Sequence, residues 1–311
     1  MKFVLNTSNK SDSLTGIIQN LRSFTDTVNI QFTEEGLSIQ TMDNSHISVV
    51  ELIIPASWFN EYECPESVIL GVNINILSKI LAAKDKSQIL TINHTQDKLE
   101  IHFTSILPEI QNIVLEKAET VEQTEEPQQT EEQTQKKGKG KGKSKEKKEP
   151  KEPKPKEQPK LDSKIYDMHF EIPLVDIESE VIDIPPIDYA AEFSLSSLNF
   201  ANIVNQLRLF GDTMDIECSE ERIQLYSHGI ESGKMSVEIN IDELTEFSIN
   251  EGERLTISFG LNYLNHISAF HKLTKEIELK ICDNYPLYAA YNFGEDAKVK
   301  FYLAPKISDS D

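Results

Sequence analysis

The first stretch with a regular pattern of apolar and polar positions is residues 12–40. Between residues 12 and 24, apolar side chains recur at the spacing of one helical face, and Asp12 or Ser13 can cap the helix. This face consists of Leu14, Ile17, Ile18, Leu21 and Phe24. Residues 28–40 then alternate on both sides of Glu35 and Gly36, which predicts a hairpin. The pattern predicts a helix followed by two antiparallel strands.

The same pattern returns half a chain later. Residues 203–226 match residues 17–40 at a constant shift of 186 positions, without gaps and with nine identical pairs. The pairs are Ile17/Ile203, Leu21/Leu207, Arg22/Arg208, Phe24/Phe210, Asp26/Asp212, Thr27/Thr213, Ile30/Ile216, Glu34/Glu220 and Glu35/Glu221. A helix and hairpin repeated at this distance indicate a duplicated domain.

Further elements complete each half. Second helices are predicted at about 74–84 and 262–270, and Gly71 and Gly260 stand at their entrances. The first of these helices is expected to bury Ile76, Leu77, Ile80 and Leu81. Other strands are predicted at 3–6, 47–54, 67–72, 88–94, 98–104, 165–172, 234–240, 244–249, 254–261, 275–282, 287–293 and 297–303. Each half is therefore predicted to be α+β, with two helices on a mainly antiparallel sheet.

A change in composition separates the two halves. Residues 116–160 contain 13 Lys and 11 Glu and almost no apolar side chain after Val121, so we expect a disordered insert. Its basic half fits a plain linker, a nuclear-import signal or a weak tether to nucleic acid. The acidic, proline-punctuated stretch 173–188 predicts an extended connector. The predicted domains are 1–172, with the insert at about 116–163, and 189–311.

The charge distribution restricts any nucleic-acid role. The formal net charge is −21, and residues 116–160 contribute +2 (13 Lys against 11 Glu), so the rest of the chain carries −23. An acidic body disfavours general adhesion to nucleic acid. Binding to DNA would therefore require the few basic residues to gather on one surface.

The sequence shows no pattern typical of catalysis, a cofactor, a metal site or membrane insertion. Phosphate-binding glycine loops and nucleophile or zinc-protease motifs are absent, so an enzyme is not predicted. Cys64, Cys218 and Cys282 are far apart, which favours buried, inert thiols in a reducing compartment. His266 and His271 would point in different directions on a helix, so they predict no metal site. No apolar run is long enough to span a membrane, and the N-terminus lacks a signal-peptide profile.

Four stretches in the two halves carry a family resemblance. They are LSIQTMDNSHISVVEL (37–52), GVNINILSKIL (71–81), the I-P-x-x-x-Tyr segment (184–189) and FYLAPKI (301–307). Together they resemble the eukaryotic-type sliding clamp, proliferating cell nuclear antigen. The resemblance implies a duplicated clamp domain that assembles into a homotrimeric ring around duplex DNA. The insert departs from the cellular pattern, which favours a divergent member of cellular or viral origin.

The resemblance also implies that helices line the hole of the ring and contact phosphates without reading sequence. The implied DNA-facing residues are Arg22, Lys79, Lys84, Arg208 and His266, with Arg208 placed by the internal repeat. The family often has Lys or Arg where this chain has Thr15, Gly16, Ala82, Asn202, Asn205, Asn262 and Ala269. We therefore expect weak, mobile contact with DNA.

DNA polymerases and other client proteins would bind an apolar pocket beneath the connector through short hydrophobic and aromatic peptides. The resemblance assigns this site to Met42, Ser45, His46, Ile47, Val49, Ile182, Ile184, Pro185, Tyr189, Gly260, Pro286, Tyr302, Leu303, Ala304, Pro305, Lys306 and Ile307. Asp183 stands where the family usually has glycine, and the connector is longer. Which clients the pocket prefers is therefore left open.

Ring closure is expected to pair the edge strands 165–171 and 234–240 of neighbouring subunits. A clamp loader is the further implied partner, and no membrane partner is expected. The implied compartment is the nucleus, or a cytoplasmic replication compartment for a viral protein. Two alternatives remain open: a clamp-fold processivity factor that works as a monomer, and a partner-binding scaffold whose DNA role is weakened.

Overall fold

The computed structural model describes residues 1–105, 165–178 and 182–307. The elements of the first half are β1 (Lys2–Leu5), α1 (Ser8–Leu21), β2 (Thr27–Thr33), β3 (Gly36–Met42), β4 (Ser48–Pro55), β5 (Glu61–Glu63), β6 (Val68–Asn73), α2 (Ile74–Leu81), β7 (Gln88–Thr95), β8 (Lys98–Ser105) and β9 (Met168–Pro173). The predicted insert lies outside the described residues.

The second half repeats this order of helices and strands. Its elements are β10 (Ala191–Ser196), α3 (Ser197–Leu207), β11 (Thr213–Cys218), β12 (Arg222–Gly229), β13 (Gly233–Asn240), β14 (Glu246–Ile249), β15 (Leu255–Gly260), α4 (Leu261–Ser268), β16 (Glu276–Ile281), β17 (Leu287–Asn292) and β18 (Lys298–Leu303). Short 3-10 turns occupy Ala56–Trp58, Ile241–Glu243 and Ala269–Lys272. Across the described ranges, no helix is both long and apolar enough to cross a membrane.

The strands form three sheets. Five strands follow the order β5-β1-β7-β8-β9, four follow β13-β12-β11-β15, and nine follow β14-β10-β16-β17-β18-β4-β3-β2-β6. The nine-stranded sheet contains strands of both halves, which are joined where β18 pairs with β4 in antiparallel register. The two halves therefore share one continuous sheet.

Equivalent residues of the repeat occupy equivalent structural positions. Arg22 follows the last residue of α1, and Arg208 follows the last residue of α3. The carbonyl of Asp26 accepts the N–H of Ile74 at the start of α2, and the carbonyl of Asp212 accepts the N–H of Leu261 at the start of α4, both at 2.9 Å. These bonds align Ile74 with Leu261. Gly260 is the last residue of β15 and directly precedes its helix, whereas Gly71 lies two residues before the end of β6, so the two glycines are not equivalent.

The predicted start of α1 and the predicted burial of Ile76 were wrong. Helix α1 begins at Ser8, four residues earlier than predicted. The prediction missed the first turn because that turn is polar and shows no apolar periodicity. Thr7 precedes the helix and makes no side-chain cap. Asp12 and Ser13 therefore lie inside the helix. In α2, Leu77 and Leu81 are buried as expected, but Ile76 is 44% exposed because it lies on the opposite side of the helix.

Helices and connector cover opposite faces of the nine-stranded sheet. On the helical side, the ring of Phe24 lies 5.7 Å from the ring of Phe301 on β18. The Nδ2 atom of Asn20 on α1 donates to the carbonyl of Ala269 after α4, which joins the helices of the two halves. Side chains alternate between faces along a strand, so Tyr302 points to the other side, here called the outer face.

The described parts of the connector cross this outer face strand by strand. The N–H of Val175 donates to the carbonyl of Gly71 on β6 at 2.8 Å. A Cβ atom on Gly71 would lie 2.0 Å from the carbonyl oxygen of Val175, so only glycine allows this approach. The side chain of Gln40 on β3 then bonds both the N–H and the carbonyl of Ile182. These contacts fix the connector above the sheet.

Candidate functional site

Side chains on the outer face form a row across six strands of the nine-stranded sheet. Successive strand pairs place Met42, Val49, Tyr302, Tyr288, Lys280 and Glu192 opposite one another. Opposite residues in antiparallel strands share a face and lie close together. The row therefore joins three predicted partner-binding residues, Met42, Val49 and Tyr302, to three residues that the sequence analysis did not select.

A cavity of about 290 Å³ lies between part of this row and the connector. Its walls are aromatic and aliphatic, with one lysine and one glutamate. They are formed by Ile184, Pro185, Pro186, Ile187, Tyr189, Glu192, Lys280, Tyr288 and Tyr302. Four of these residues, Ile184, Pro185, Tyr189 and Tyr302, belong to the predicted partner site. A cavity with such mixed walls can accept the aromatic or aliphatic side chains of a bound peptide and also offers polar groups beside them.

Three tyrosines define one wall of the cavity. The ring of Tyr288 lies 6.2 Å from that of Tyr189 and 5.6 Å from that of Tyr302. Burial raises the pKa of Tyr189 and of Tyr288, so both hydroxyls keep their protons at neutral pH. Within the described residues, the buried hydroxyl of Tyr189 has no hydrogen-bond partner.

Lys280 is held as a charged group beside the tyrosines. Its Nζ atom lies 2.9 Å from Glu192, 3.0 Å from Glu278 and 5.5 Å from the centre of the Tyr288 ring. Burial lowers the pKa of Lys280, but the hydrogen bonds to both glutamates outweigh it, and the pKa is raised above its ordinary value. Lys280 therefore stays positively charged and its bonds to the two glutamates orient it beside the cavity.

Asp43 organises the loop between β3 and β4. Its buried carboxylate accepts hydrogen bonds from the N–H groups of Ser45, Ile47 and Ser48 and from the Ser48 hydroxyl. Desolvation raises the pKa of Asp43, but these hydrogen bonds together hold it below its ordinary value. His46 has a positive φ of 57° and is exposed. The loop thus presents Ser45, His46 and Ile47 to solvent on a fixed backbone.

The end of the chain brings further predicted residues to this loop. The N–H of Ala304 donates to the carbonyl of Ile47 at 3.0 Å, so the segment after β18 runs beside the Asp43 loop. The N–H of Lys306 donates to the carbonyl of Ser258 on β15, two residues before Gly260. The same segment therefore also reaches the start of α4.

The remaining predicted residues differ in how accessible they are. Pro305 is half-buried, and Ile307 is 93% exposed. Pro286 precedes Leu287, which pairs with Leu303, so it lies at the same end of the sheet. The side chain of Leu303 is fully buried in the core, where it supports the sheet. Its assignment to the partner site stays a prediction.

The predicted DNA-facing residues lie on or beside the helices. Arg22 and Arg208 are exposed at the ends of α1 and α3, and Lys79 is exposed in the last turn of α2. The Nε atom of Arg22 donates to Oδ1 of Asn75, which orients the guanidinium over the start of α2. These three residues place exposed basic side chains on the helical side.

Lys84 and His266, the other two predicted DNA-facing residues, are partly buried. Burial lowers the pKa of Lys84, whose Nζ atom bonds the carbonyl of Asp85. Burial, together with the nearby charge of Arg208, also lowers the pKa of His266 against the opposing effect of Asp43. The His266 ring packs against Phe24 at 5.8 Å. Burial thus disfavours the charged form of both side chains.

Comparison with known proteins covers both halves of the chain. Residues 6–119 match the proliferating cell nuclear antigen N-terminal domain, and residues 183–306 match the C-terminal domain. Proliferating cell nuclear antigen of Chaetomium thermophilum is 24% identical over 299 residues, which is 95% of each chain. Proliferating cell nuclear antigen 2 of Drosophila melanogaster is 24% identical over 281 residues, 90% of this chain and 88% of the relative.

A solved structure agrees with these matches. Proliferating cellular nuclear antigen from Entamoeba histolytica superposes with a TM-score of 0.73 at 23% identity and covers 98% of both chains. The predicted duplicated α+β clamp fold is confirmed, and the low identities agree with a divergent member. This chain belongs to the proliferating cell nuclear antigen family of DNA sliding clamps, which are processivity factors in DNA replication and not enzymes.

Proposed function

We propose that this chain forms a homotrimeric ring that encircles duplex DNA and tethers DNA polymerases and other clients through the cavity beneath the connector. Each chain supplies two similar halves, so three chains supply six similar units around the hole. Topological linkage holds such a ring on DNA without tight contact, which is compatible with the acidic body of the protein.

The main support for ring assembly is the pattern of unpaired strands at the edges of the sheets. Six strands end a sheet within the described residues, and four of them are short or covered. Strands β5 and β14 have three and four residues, the connector bonds β6 at Gly71, and the chain end bonds β15 at Ser258. This leaves β9 and β13, with six and eight residues, as the long open edges. Unpaired edges of this length are templates for pairing with another chain.

The side chains on these two edges support their pairing. Met168 and Phe170 on β9 and Met235 and Val237 on β13 are half-buried against the core, with part of each apolar side chain still exposed. A neighbouring strand would cover this apolar surface and bond the free backbone groups at the same time. We therefore assign β9 of one subunit and β13 of the next to the subunit contact.

The helical side is the proposed DNA-facing surface. It carries the exposed charges of Arg22, Lys79 and Arg208, which would contact phosphates and not base edges. A closed ring must open to admit DNA, so a clamp loader belongs among the proposed partners. The names of the relatives place them in the nucleus, and we propose the same compartment for this chain.

The sparse charge on this face predicts a weak salt dependence of DNA binding. The proposed trimer presents nine such charges, three from each chain, so contact by all of them would give a slope of log affinity against log salt of about −8, and weak, mobile contact should give a much shallower slope. Fluorescence anisotropy with a short duplex, over a salt titration, measures it for the full chain and for a variant lacking residues 116–160. A steeper slope in the shortened variant would show that the folded body itself binds many phosphates.

The cavity predicts the residues on which client binding depends. Replacing Ile184 by alanine removes an apolar wall of the cavity, and replacing Pro305 loosens the segment beside the Asp43 loop. Each change should weaken binding of a fluorescent peptide with two adjacent aromatic anchors by about tenfold, because truncating a hot spot costs more than about 1 kcal/mol. The solution mass should not change.

The matched control for the cavity is Ile69→Ala. Ile69 is an exposed isoleucine on β6 and does not line the cavity, so its truncation should leave peptide affinity unchanged. If Ile184→Ala and Pro305→Ala bind the peptide as tightly as Ile69→Ala, clients do not use this cavity.

A further inference from the structure

Two histidines face each other on the solvent side of the five-stranded sheet. His102 on β8 and His169 on β9 are directly opposite in the antiparallel register. Their Nδ1 atoms lie 3.0 Å apart, and their ring centres lie 4.2 Å apart. The two imidazoles therefore face each other through the same ring nitrogen, at hydrogen-bond distance.

Each ring has a carboxylate beside its other nitrogen. Glu100 and Glu171 are opposite each other, two residues along the same strands and on the same face. The Nε2 atom of His102 lies 3.8 Å from Glu100, and the Nε2 atom of His169 lies 3.5 Å from Glu171. The buried Nε2 atom of His102 makes no hydrogen bond within the described residues. The four side chains thus form two His-Glu pairs, one on each strand, that face each other.

The separation of the two ring nitrogens is also close to that of two histidines bound to one metal ion. Two imidazole nitrogens bound to one tetrahedral zinc ion at about 2.0–2.1 Å lie about 3.3 Å apart, close to the observed Nδ1 separation. A metal-binding histidine commonly donates its second ring N–H to a carboxylate, which fixes the tautomer and the ring orientation. Binding through both Nδ1 atoms would place both ring hydrogens on Nε2, beside Glu100 and Glu171.

We propose that His102 and His169 bind one divalent transition-metal ion, of the class that imidazole favours, such as zinc, copper or nickel. Glu100 and Glu171 orient the two rings, and their negative charge favours a cation. Lys98 offsets part of that charge through its ion pair with Glu171 at 2.5 Å. All these groups belong to a single chain, so the site does not depend on the proposed ring.

The remaining coordination positions are left to water or to a neighbouring chain. No group of three His, Cys, Asp or Glu side chains in the described ranges is arranged to hold a metal ion. Strand β9 is an edge strand, so a strand that pairs with it would bring a side chain of its own next to His169. The bound ion would then stiffen this edge by joining β8 to β9.

Isothermal titration calorimetry with zinc chloride tests the site in the untagged, chelator-treated full chain. We expect saturable binding of about one ion per chain. His102→Gln and His169→Gln should each weaken zinc binding by more than about tenfold, and Glu171→Gln by about tenfold. Zinc should also raise the unfolding temperature of the wild-type protein and not that of the two histidine variants.

His94→Gln is the matched control, because His94 lies on β7 of the same sheet and its Nε2 atom bonds the carbonyl of Gln96. This variant should bind zinc like the wild type. Circular dichroism checks that every variant is folded. Two results would overturn the proposal: no saturable zinc binding by the wild-type chain, or equal binding by the wild type and both histidine variants, which would place the ion elsewhere on the acidic surface.

Discussion

Replacing both Met235 and Val237 by lysine is expected to reduce the solution mass of the protein from that of three chains to that of one. Both side chains are half-buried on the core side of β13, the longer open edge. A lysine can direct its ammonium to solvent while the strand stays unpaired, but pairing with β9 of a neighbour would bury the charge. Size-exclusion chromatography with light scattering measures the change.

Ser236→Lys is the control for this experiment. Ser236 lies between the two replaced residues, but its side chain is exposed on the opposite face of the strand. The control adds one positive charge to the same edge, where the double variant adds two, and it should remain a trimer. Circular dichroism should show that both variants are folded. A double variant that is folded and still trimeric would rule out β13 as the subunit contact.

Replacing Gly71 by alanine is expected to release the connector from the sheet. The added Cβ would lie 2.0 Å from the carbonyl oxygen of Val175, which is backbone and cannot rotate away. Relief requires the connector to move and break the bond between Val175 and Gly71. Overpacking of this kind costs about 1–3 kcal/mol of unfolding free energy. Denaturant unfolding measures the loss, and hydrogen exchange should show faster exchange of the Val175 amide.

Gly16→Ala is the contrasting substitution. Gly16 lies inside α1, and nothing lies within 4 Å of an added Cβ, so alanine should stabilise the helix by about 0.5–1 kcal/mol. A lower unfolding free energy for Gly71→Ala and a higher one for Gly16→Ala would show that the close approach of the connector, and not the loss of a glycine as such, decides the effect. If Gly71→Ala unfolds and exchanges like the wild type, the connector does not need this contact.

The repeated elements were predictable because each depends on local periodicity. The helix and hairpin of both halves follow from residues 17–40 and 203–226, and the structure places Arg22 and Arg208 at equivalent helix ends. Helix starts were less predictable, since the first turn of α1 is polar. Ile76 was misassigned because apolar spacing in a helix of eight residues does not tell which side faces the core.

The cavity was only partly predictable from the sequence. Tyr189 and Tyr302 were found through their family motifs, but Tyr288, Lys280 and Glu192 were not. Each of these three occupies an ordinary alternating position in a strand, and only the register of β10, β16, β17 and β18 brings them together. The sequence did not predict the pairing of His102 and His169 for the same reason. The two residues are far apart in the chain and become neighbours only when β9 pairs with β8.

The assembly state tests the central claim most directly. Light scattering of the wild-type chain across a dilution series should give a constant mass of about 106 kDa, three times the 35.4 kDa of one chain. That result would support the closed ring that encirclement of DNA requires. A mass of 35.4 kDa at every concentration would contradict the ring and leave a clamp-fold protein that must hold DNA by a single face.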